Sequence, residues 1–308
     1  MKILITADWH VRGERPLCRL DEDWIESQRK TISEIRSVFE NNGCDQIWIL
    51  GDVFDAPRCA TAAVNMLIGE LKKFPFDSVK ILCGNHDLKD HNYGNLEECS
   101  IGTLKKIFGD VPDVIANDGI GSMSVSAKPF ALDDLQSTAD VICTHQLTFP
   151  NAEARPMPDC GVLAQDLLDR WREAEVIFTG DYHHGYVFKE DWDTLPGRYV
   201  VTPGCINIQK ADELDYQPFV VVWDTKSASG DYAFEKFYLD PQRENCTRDH
   251  IEAREQNEEQ LAQVVETIKG GAEITLDFDS NLAAAVAKCD ANVVEEYGLV
   301  RQEVNAEK

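Results

Sequence analysis

Short apolar runs recur along the chain and end abruptly in polar residues: Lys2–Thr6, Gln46–Leu50, Val79–Cys83, Val141–Thr144, Val176–Thr179, Arg198–Thr202 and Phe219–Trp223. Runs this short, rich in Val and Ile, fit strands buried on both faces better than helices. Between them the period changes. Residues 22–41 place Ile25, Ile32, Ile35 and Phe39 on one helical face, with charges elsewhere and Gly43 as the stop signal. Residues 60–73 repeat the pattern with Ala63, Leu67 and Leu71, and residues 161–172 form a third helix candidate. Alternating strand and helix predicts an α/β fold with functional side chains at the C-terminal ends of strands.

Beyond residue 240 the texture changes. Asp249–Ile268 reads as a charged helix with Ile251, Leu261, Val264, Val265 and Ile268 as its apolar positions, and Gly270-Gly271 breaks it. Glu273–Phe278 then reads as a strand and Asn281–Lys288 as a last helix, followed by a frayed polar tail. The chain is therefore expected to divide into a catalytic domain, 1–240, and a small α+β appendage, 241–308, that caps the first or docks a partner.

Composition narrows the class. Hydrophobic residues make up 43% of the 308 positions, enough for a sizeable core, so global disorder is not expected. The N-terminal Met-Lys-Ile-Leu-Ile-Thr reads as a strand and not as a signal peptide, and no run approaches a membrane span, so a cytoplasmic protein is expected. The ten cysteines are scattered singly, without a C-x-x-C pair. Cys83 and Cys143 sit inside apolar runs and read as small buried hydrophobes in a reducing compartment. The net charge of −25 should repel nucleic acid at long range. A nucleic-acid substrate would thus need a local basic patch, bound metal, or positive charge from a partner.

Five of the strand-like runs lead into metal-ligand side chains. They give Asp8-Trp9-His10, Gly51-Asp52-Val53-Phe54-Asp55, Gly84-Asn85-His86-Asp87, Thr144-His145 and Gly180-Asp181-Tyr182-His183-His184. Residues two apart, such as Asp8/His10 and Asp181/His183, point the same way from an extended backbone. A mixed Asp, His and Asn set suits hard-to-borderline divalent ions. Each motif alone is common: Gly-Asp is an ordinary turn dipeptide, and a lone His at a strand end is more often structural. Five such loops, each directly after a strand-like run, are not plausibly coincidence.

Taken in order, these motifs resemble the calcineurin-like binuclear metallophosphoesterases over roughly residues 1–205. The resemblance implies a four-layer αββα sandwich, two packed sheets flanked by helices, with two divalent metals at the loop ends. It implies that Asp52 bridges the ions, that Asp8, His10 and His183 complete one site, and that Asn85, His145 and Asp181 complete the other. His86 would be the catalytic histidine, and Asp55 would orient its imidazole. The family usually carries a histidine where this chain has Asp181, a change that adds negative charge to the second site. A register using Tyr182 and His184 offers a poorer ligand, so Asp181/His183 is preferred. The resemblance implies Mn²⁺ first, with Mg²⁺, Fe²⁺ or Zn²⁺ as alternatives.

Within that superfamily, Gly-Asp-Val-Phe-Asp, Gly-Asn-His-Asp and Thr202-Pro203-Gly204-Cys205 look most like SbcD-type DNA-repair nucleases of bacteria and phages. Asp55 is followed by Ala56-Pro57, unlike the Arg-Gly expected of protein serine/threonine phosphatases. The leading expectation is a metal-dependent DNA exo- or endonuclease in repair, recombination or phage DNA processing, located in the host cytoplasm if phage-encoded. Expected partners are DNA, contacted by Arg12, Arg15 and Arg19, an SbcC-type coiled-coil ATPase, and a second copy in a homodimer; no membrane partner is expected. A small-substrate phosphodiesterase or phosphatase is the second reading, modestly favoured by the acidic charge. A non-catalytic scaffold of a nuclease complex, with its second metal site spoiled by Asp181, is the third.

Overall fold

The apolar runs become the central strands of two stacked sheets. The computed structural model describes residues 1–117, 121–128, 138–190, 197–225, 232–270 and 278–306. Its strands are β1 (Lys2–Thr6), β2 (Gln46–Leu50), β3 (Val79–Leu82), β4 (Val114–Asn117), β5 (Gly121–Lys128), β6 (Val141–Thr144) and β7 (Thr148–Phe149). They continue with β8 (Val162–Leu163), β9 (Val176–Thr179), β10 (Tyr186–Lys189), β11 (Tyr199–Thr202), β12 (Phe219–Asp224) and β13 (Ala233–Tyr238). One sheet has the order β13-β12-β1-β2-β3, the other β10-β11-β9-β6-β5-β4, and β7 pairs with β8 alone. Helices α1 (Trp24–Asn41), α2 (Thr61–Leu71), α3 (Ser100–Lys105) and α4 (Ala164–Arg170) complete the region.

Alternation along each strand explains the layering. In β1 and β2, Ile3, Ile5, Trp48 and Leu50 meet Val141, Cys143, Val176 and Phe178 of the second sheet in the inter-sheet core. Their neighbours Leu4, Ile47 and Ile49 point the other way and pack with Ile32, Ile35 and Phe39 of α1 and Ala63, Leu67 and Leu71 of α2. On the outer side of the second sheet, Ile142, Ile177 and Val200 pack against Leu167 and Leu168 of α4. Both faces of the central strands are thus covered, which is why they read as unbroken apolar runs. The result is the four-layer αββα sandwich.

Sequence periodicity did not single out β4, β5, β10 and β13. These strands lie towards the sheet edges, and β13 (Ala-Phe-Glu-Lys-Phe-Tyr) has no fully buried residue, so its pattern is mixed and not apolar. The chain divides into two compact units, Met1–Cys246 and Thr247–Lys308. In the second unit, α5 (Asp249–Gly270), α6 (Phe278–Val286) and α7 (Ala291–Ala306) are helical. Except for Phe278, which opens α6, the strand expected over Glu273–Phe278 falls outside the described residues. The polar tail is a helix, α7, introduced by Asp290, a residue type favoured at helix starts. No described helix is long and apolar enough to cross a membrane.

One ion pair locks the loop between β1 and α1. Arg19 donates Nε–H to Asp21 Oδ2 at 2.8 Å and Nη2–H to Oδ1 at 2.9 Å. Its guanidinium also lies over the Trp24 ring, 5.0 Å from the centroid, and donates to the Pro241 carbonyl. Ser27 of α1 donates its hydroxyl to Asp21 Oδ1 at 2.6 Å. Arg19 is only 1% exposed, which overturns its expected role as a DNA contact: both forks of the guanidinium are committed inside the protein.

Burial opposes ionisation of Asp21, but the Arg19 and Ser27 hydrogen bonds outweigh it and hold the carboxyl below its ordinary 3.8. A carboxylate with a depressed pKa stabilises the fold above its unfolded pKa, and that contribution disappears as pH falls through the folded value. Asp21→Ala leaves Arg19 buried without its partner and should cost about 3–5 kcal/mol in urea unfolding at pH 7. The gap between wild type and variant should narrow as pH drops below about 4; a gap independent of pH would show that the charge is not the source.

Candidate metal centre

The pairing of β1 with β2 continues past the ends of both strands. Asp8 N–H donates to the Gly51 carbonyl (3.1 Å), His10 N–H to Asp52 (2.9 Å) and Val11 N–H to Val53 (2.9 Å). Within this extension Asp8, His10 and Asp52 adopt left-handed backbone angles, with φ of 51°, 44° and 48°, and Asp181 on the facing loop has φ 72°. Left-handed non-glycine residues cost of order 1–3 kcal/mol each and cluster at functional sites. Gly51, at φ +91°, leaves no room for a Cβ, which would collide with the His145 ring, and a Cβ on Gly84 would collide with the Asp52 carboxylate. These two glycines let three loops close on one point.

The side chains meet there. His10 Nε2 lies 3.0 Å from His183 Nε2, and ligand atoms of Asp8, His10 and His183 all lie within 4.8 Å of one another. Asp8, Asp52 and His145 form a second such group. Asp52 Oδ2 stands 3.7 Å from His10 Nε2 and 3.2 Å from His145 Nε2, between the two groups. Asn85 points the same end of its amide at His145 Nε2 (3.1 Å) and at both Asp52 oxygens (3.2 Å). Asp181 donates its backbone N–H to Asp8 Oδ1 at 3.0 Å, and its negative charge bears on both Asp8 and His145. Six of the seven expected ligands thus converge through their side chains, and Asp181 is tied to them by its backbone N–H and its charge.

This donor set fits divalent cations. Asp8 Oδ2 is buried and has no hydrogen-bond partner. As placed, the Asn85 oxygen faces only acceptors, an arrangement a cation satisfies as well as a flipped amide does. Burial pushes the Asp8 carboxyl up to about 6, and pushes His10 well below its usual value so that it stays neutral, the form in which imidazole ligates. Burial likewise opposes charge on His145, yet Asp52 and Asp8 more than offset it and favour positive charge at this point.

Neighbouring groups fix the ligand rings. His145 donates Nδ1–H to the Leu50 carbonyl at 2.7 Å, leaving Nε2 towards the cluster. His183 is turned by Glu213, whose Oε1 lies 2.5 Å from Nδ1 and whose Oε2 accepts from the Gln209 and Lys210 amides at 2.8 and 3.0 Å. Such partners set tautomer and orientation in metal sites. Sequence reading missed Glu213, since it comes 30 residues after His183 in a loop with no motif of its own. Asp87 was also unassigned. It is fully buried, and its carboxylate accepts from the amides of Val53, Phe54 and Gly84, tying the loops after β2 and β3 together.

His86 is exposed beside the cluster, with its backbone N–H on Asp52 Oδ1 at 2.9 Å. Its Nδ1–H donates to the backbone carbonyl of Asp55 at 2.9 Å. This corrects the expectation that the Asp55 carboxylate orients the ring. The carboxylate instead pairs with Arg12 Nη1 at 3.1 Å, with Oδ1 3.8 Å from His10 Nδ1. Arg12 is partly exposed and Arg15 is exposed, with Arg15 Nη1 donating to the Asp21 carbonyl, so two of the three expected arginines remain at the surface.

Three solved structures are similar in part. An archaeal phosphodiesterase is 13% identical, with 78% of this chain and 100% of that one aligned and a TM-score of 0.39. A metallophosphoesterase from Sphaerobacter thermophilus is 15% identical over 78% and 90% of the two chains, TM-score 0.39. A dimetal phosphatase from Danio rerio is 12% identical over 78% and 96%, TM-score 0.48. No curated protein matches the sequence significantly. The profile described as calcineurin-like phosphoesterase matches residues 1–173, more than half of the chain. With the binuclear ligand clusters and the αββα sandwich on which they sit, that match places the chain in the calcineurin-like phosphoesterase family.

Proposed function

We propose that this metallophosphoesterase is a DNA nuclease of the SbcD type, with Mn²⁺ as its working metal. The observation that carries the reading is the exposed His86, fixed by a backbone carbonyl at the edge of the cluster formed by Asp8, His10, Asp52, Asn85, His145 and His183. Oxygen donors from Asp8, Asp52, Asp181 and Asn85 beside three imidazoles suit Mn²⁺ better than a thiolate-seeking ion. Asp8, His10 and His183 would hold one ion, Asn85, His145 and Asp181 the other, and Asp52 both. When bound, the two ions supply Lewis-acid activation of water and neutralise charge on the phosphoryl oxygens. His86, with Nδ1–H committed to the Asp55 carbonyl, presents Nε2 to the substrate and, in its imidazolium form, can hand the Nε2 proton to the leaving oxygen and return to the neutral ring. Glu213 and the Leu50 carbonyl keep His183 and His145 in the tautomer that ligates.

Arg12 and Arg15 are the side chains we assign to phosphate contacts along DNA. For the second unit, Thr247–Lys308, we propose docking of a coiled-coil ATPase partner. The net charge of −25 favours a rival reading, a phosphodiesterase on small substrates, because those need no basic track.

Incubation with Mn²⁺ on linear duplex DNA, single-stranded DNA and bis-p-nitrophenyl phosphate separates the two. A nuclease cleaves DNA, and its rate falls steeply with added salt as phosphate contacts are screened; hydrolysis of the small ester alone sinks the nuclease reading. His86→Ala should lower turnover about 10²–10⁴-fold while metal content by elemental analysis stays unchanged. Asp52→Asn should lose both. Glu213→Gln should weaken metal affinity about 10–100-fold in a Mn²⁺ titration, and an unchanged affinity would remove Glu213 from the site.

A further inference from the structure

The loop after β1 and the start of α2 enclose a cavity of about 220 Å³ beside the carbonyl that holds His86. Its walls include Arg12, Glu14, Asp55, Arg58 and Ala60. Small-molecule pockets usually exceed about 300 Å³, so this one suits a phosphate group with part of its sugar and not a whole nucleotide. Gly13 brings the loop so close to Ala60 that a Cβ at Gly13 would overlap the Ala60 methyl, which clamps the wall carrying Arg12 against the wall from α2.

Three features give the cavity an anionic occupant. Arg58 is exposed in its wall and has no ion-pair partner among the described residues. Arg12 gives Nη1 to Asp55, but its Nε is buried without a hydrogen bond. Helix α2 is preceded by Ala60 at its N-cap, with no side-chain cap and no acidic residue in its first turn, so the positive end of its dipole is uncompensated by the helix's own side chains. Of the two carboxylates in the wall, Asp55 is already neutralised by Arg12, and Glu14 is exposed to solvent, which screens it.

We propose that this cavity binds the phosphate adjacent to the scissile one in a polynucleotide strand, with Arg58 as its principal contact. The preferred substrate is then a run of consecutive phosphates and not an isolated phosphoester. The inference rests on the nuclease reading and adds to it a specificity site that the ligand motifs do not contain.

Binding of a short fluorescent single-stranded oligonucleotide to the His86→Ala protein, followed by anisotropy, tests the subsite apart from catalysis. Adding Arg58→Ala should weaken binding roughly tenfold, as expected for one charge-assisted phosphate contact. It should also flatten the log–log salt slope by about one. Arg58→Lys should recover part of the affinity, and Glu14→Gln should tighten binding. An oligonucleotide that binds with affinity and slope untouched by Arg58→Ala overturns the subsite and leaves the nuclease reading standing. No binding to the His86→Ala protein overturns both.

Discussion

The convergence of buried metal-ligand side chains on one point is the constraint on which this structure turns. Asp8 Oδ2 is buried without a partner, His10 Nε2 and His183 Nε2 stand 3.0 Å apart, and the Asn85 amide faces Asp52 and His145. Such a convergence of acceptors costs free energy that a divalent cation recovers. Holding it together needs backbone that other residues avoid, and the left-handed Asp8, His10 and Asp52 supply it. That strain persists because the sandwich beneath over-determines it: β1 and β2 are buried on both faces, and their hydrogen-bonded pairing runs on into the ligand loops.

A second tier of polar groups turns rough convergence into fixed direction. Asp87 collects three backbone amides from two loops, and Glu213 collects two amides while turning His183. Neither residue is among the expected ligands, yet Asp87 ties together the loops that carry Asp52 and Asn85, and Glu213 fixes the ring of His183. His86 is treated differently: its ring is steered by a main-chain carbonyl, and a carbonyl cannot titrate or swing away as a carboxylate can. The Asp55 carboxylate, released from that duty, neutralises Arg12.

Much of this was legible before any coordinates. The central strands are buried on both faces, so β1, β2, β6 and β9 show as apolar runs with the bounds the pattern predicts. The ligand motifs follow those runs directly, and the family that they resemble implied which of their residues would gather. Edge strands and second-tier partners could not. β13 alternates between half-buried and exposed positions, and Glu213 meets His183 only in space. Arg19 misled because a charged residue in the loop that also carries Arg12 and Arg15 looks solvated, whereas its partner Asp21 is two positions away and both are buried. Asp55 misled in a subtler way. Its position beside His86 follows from the motif, but a motif cannot say whether side chain or main chain makes the contact.

The nuclease reading sets an acidic surplus against a polyanionic substrate, and the two are compatible only through where charge is placed and not through its total. At physiological ionic strength the Debye length is about 8 Å, so carboxylates distant from the site contribute little at the scissile phosphate. In the cavity next to His86, Asp55 offsets Arg12, and Arg58 and Glu14 are the remaining charges of the lining. A strand entering there would meet Arg58, unpaired among the described residues, within a Debye length. On the nuclease reading proposed above, the net charge of −25 would act as a filter on how nucleic acid arrives, favouring short ends over long non-specific tracks.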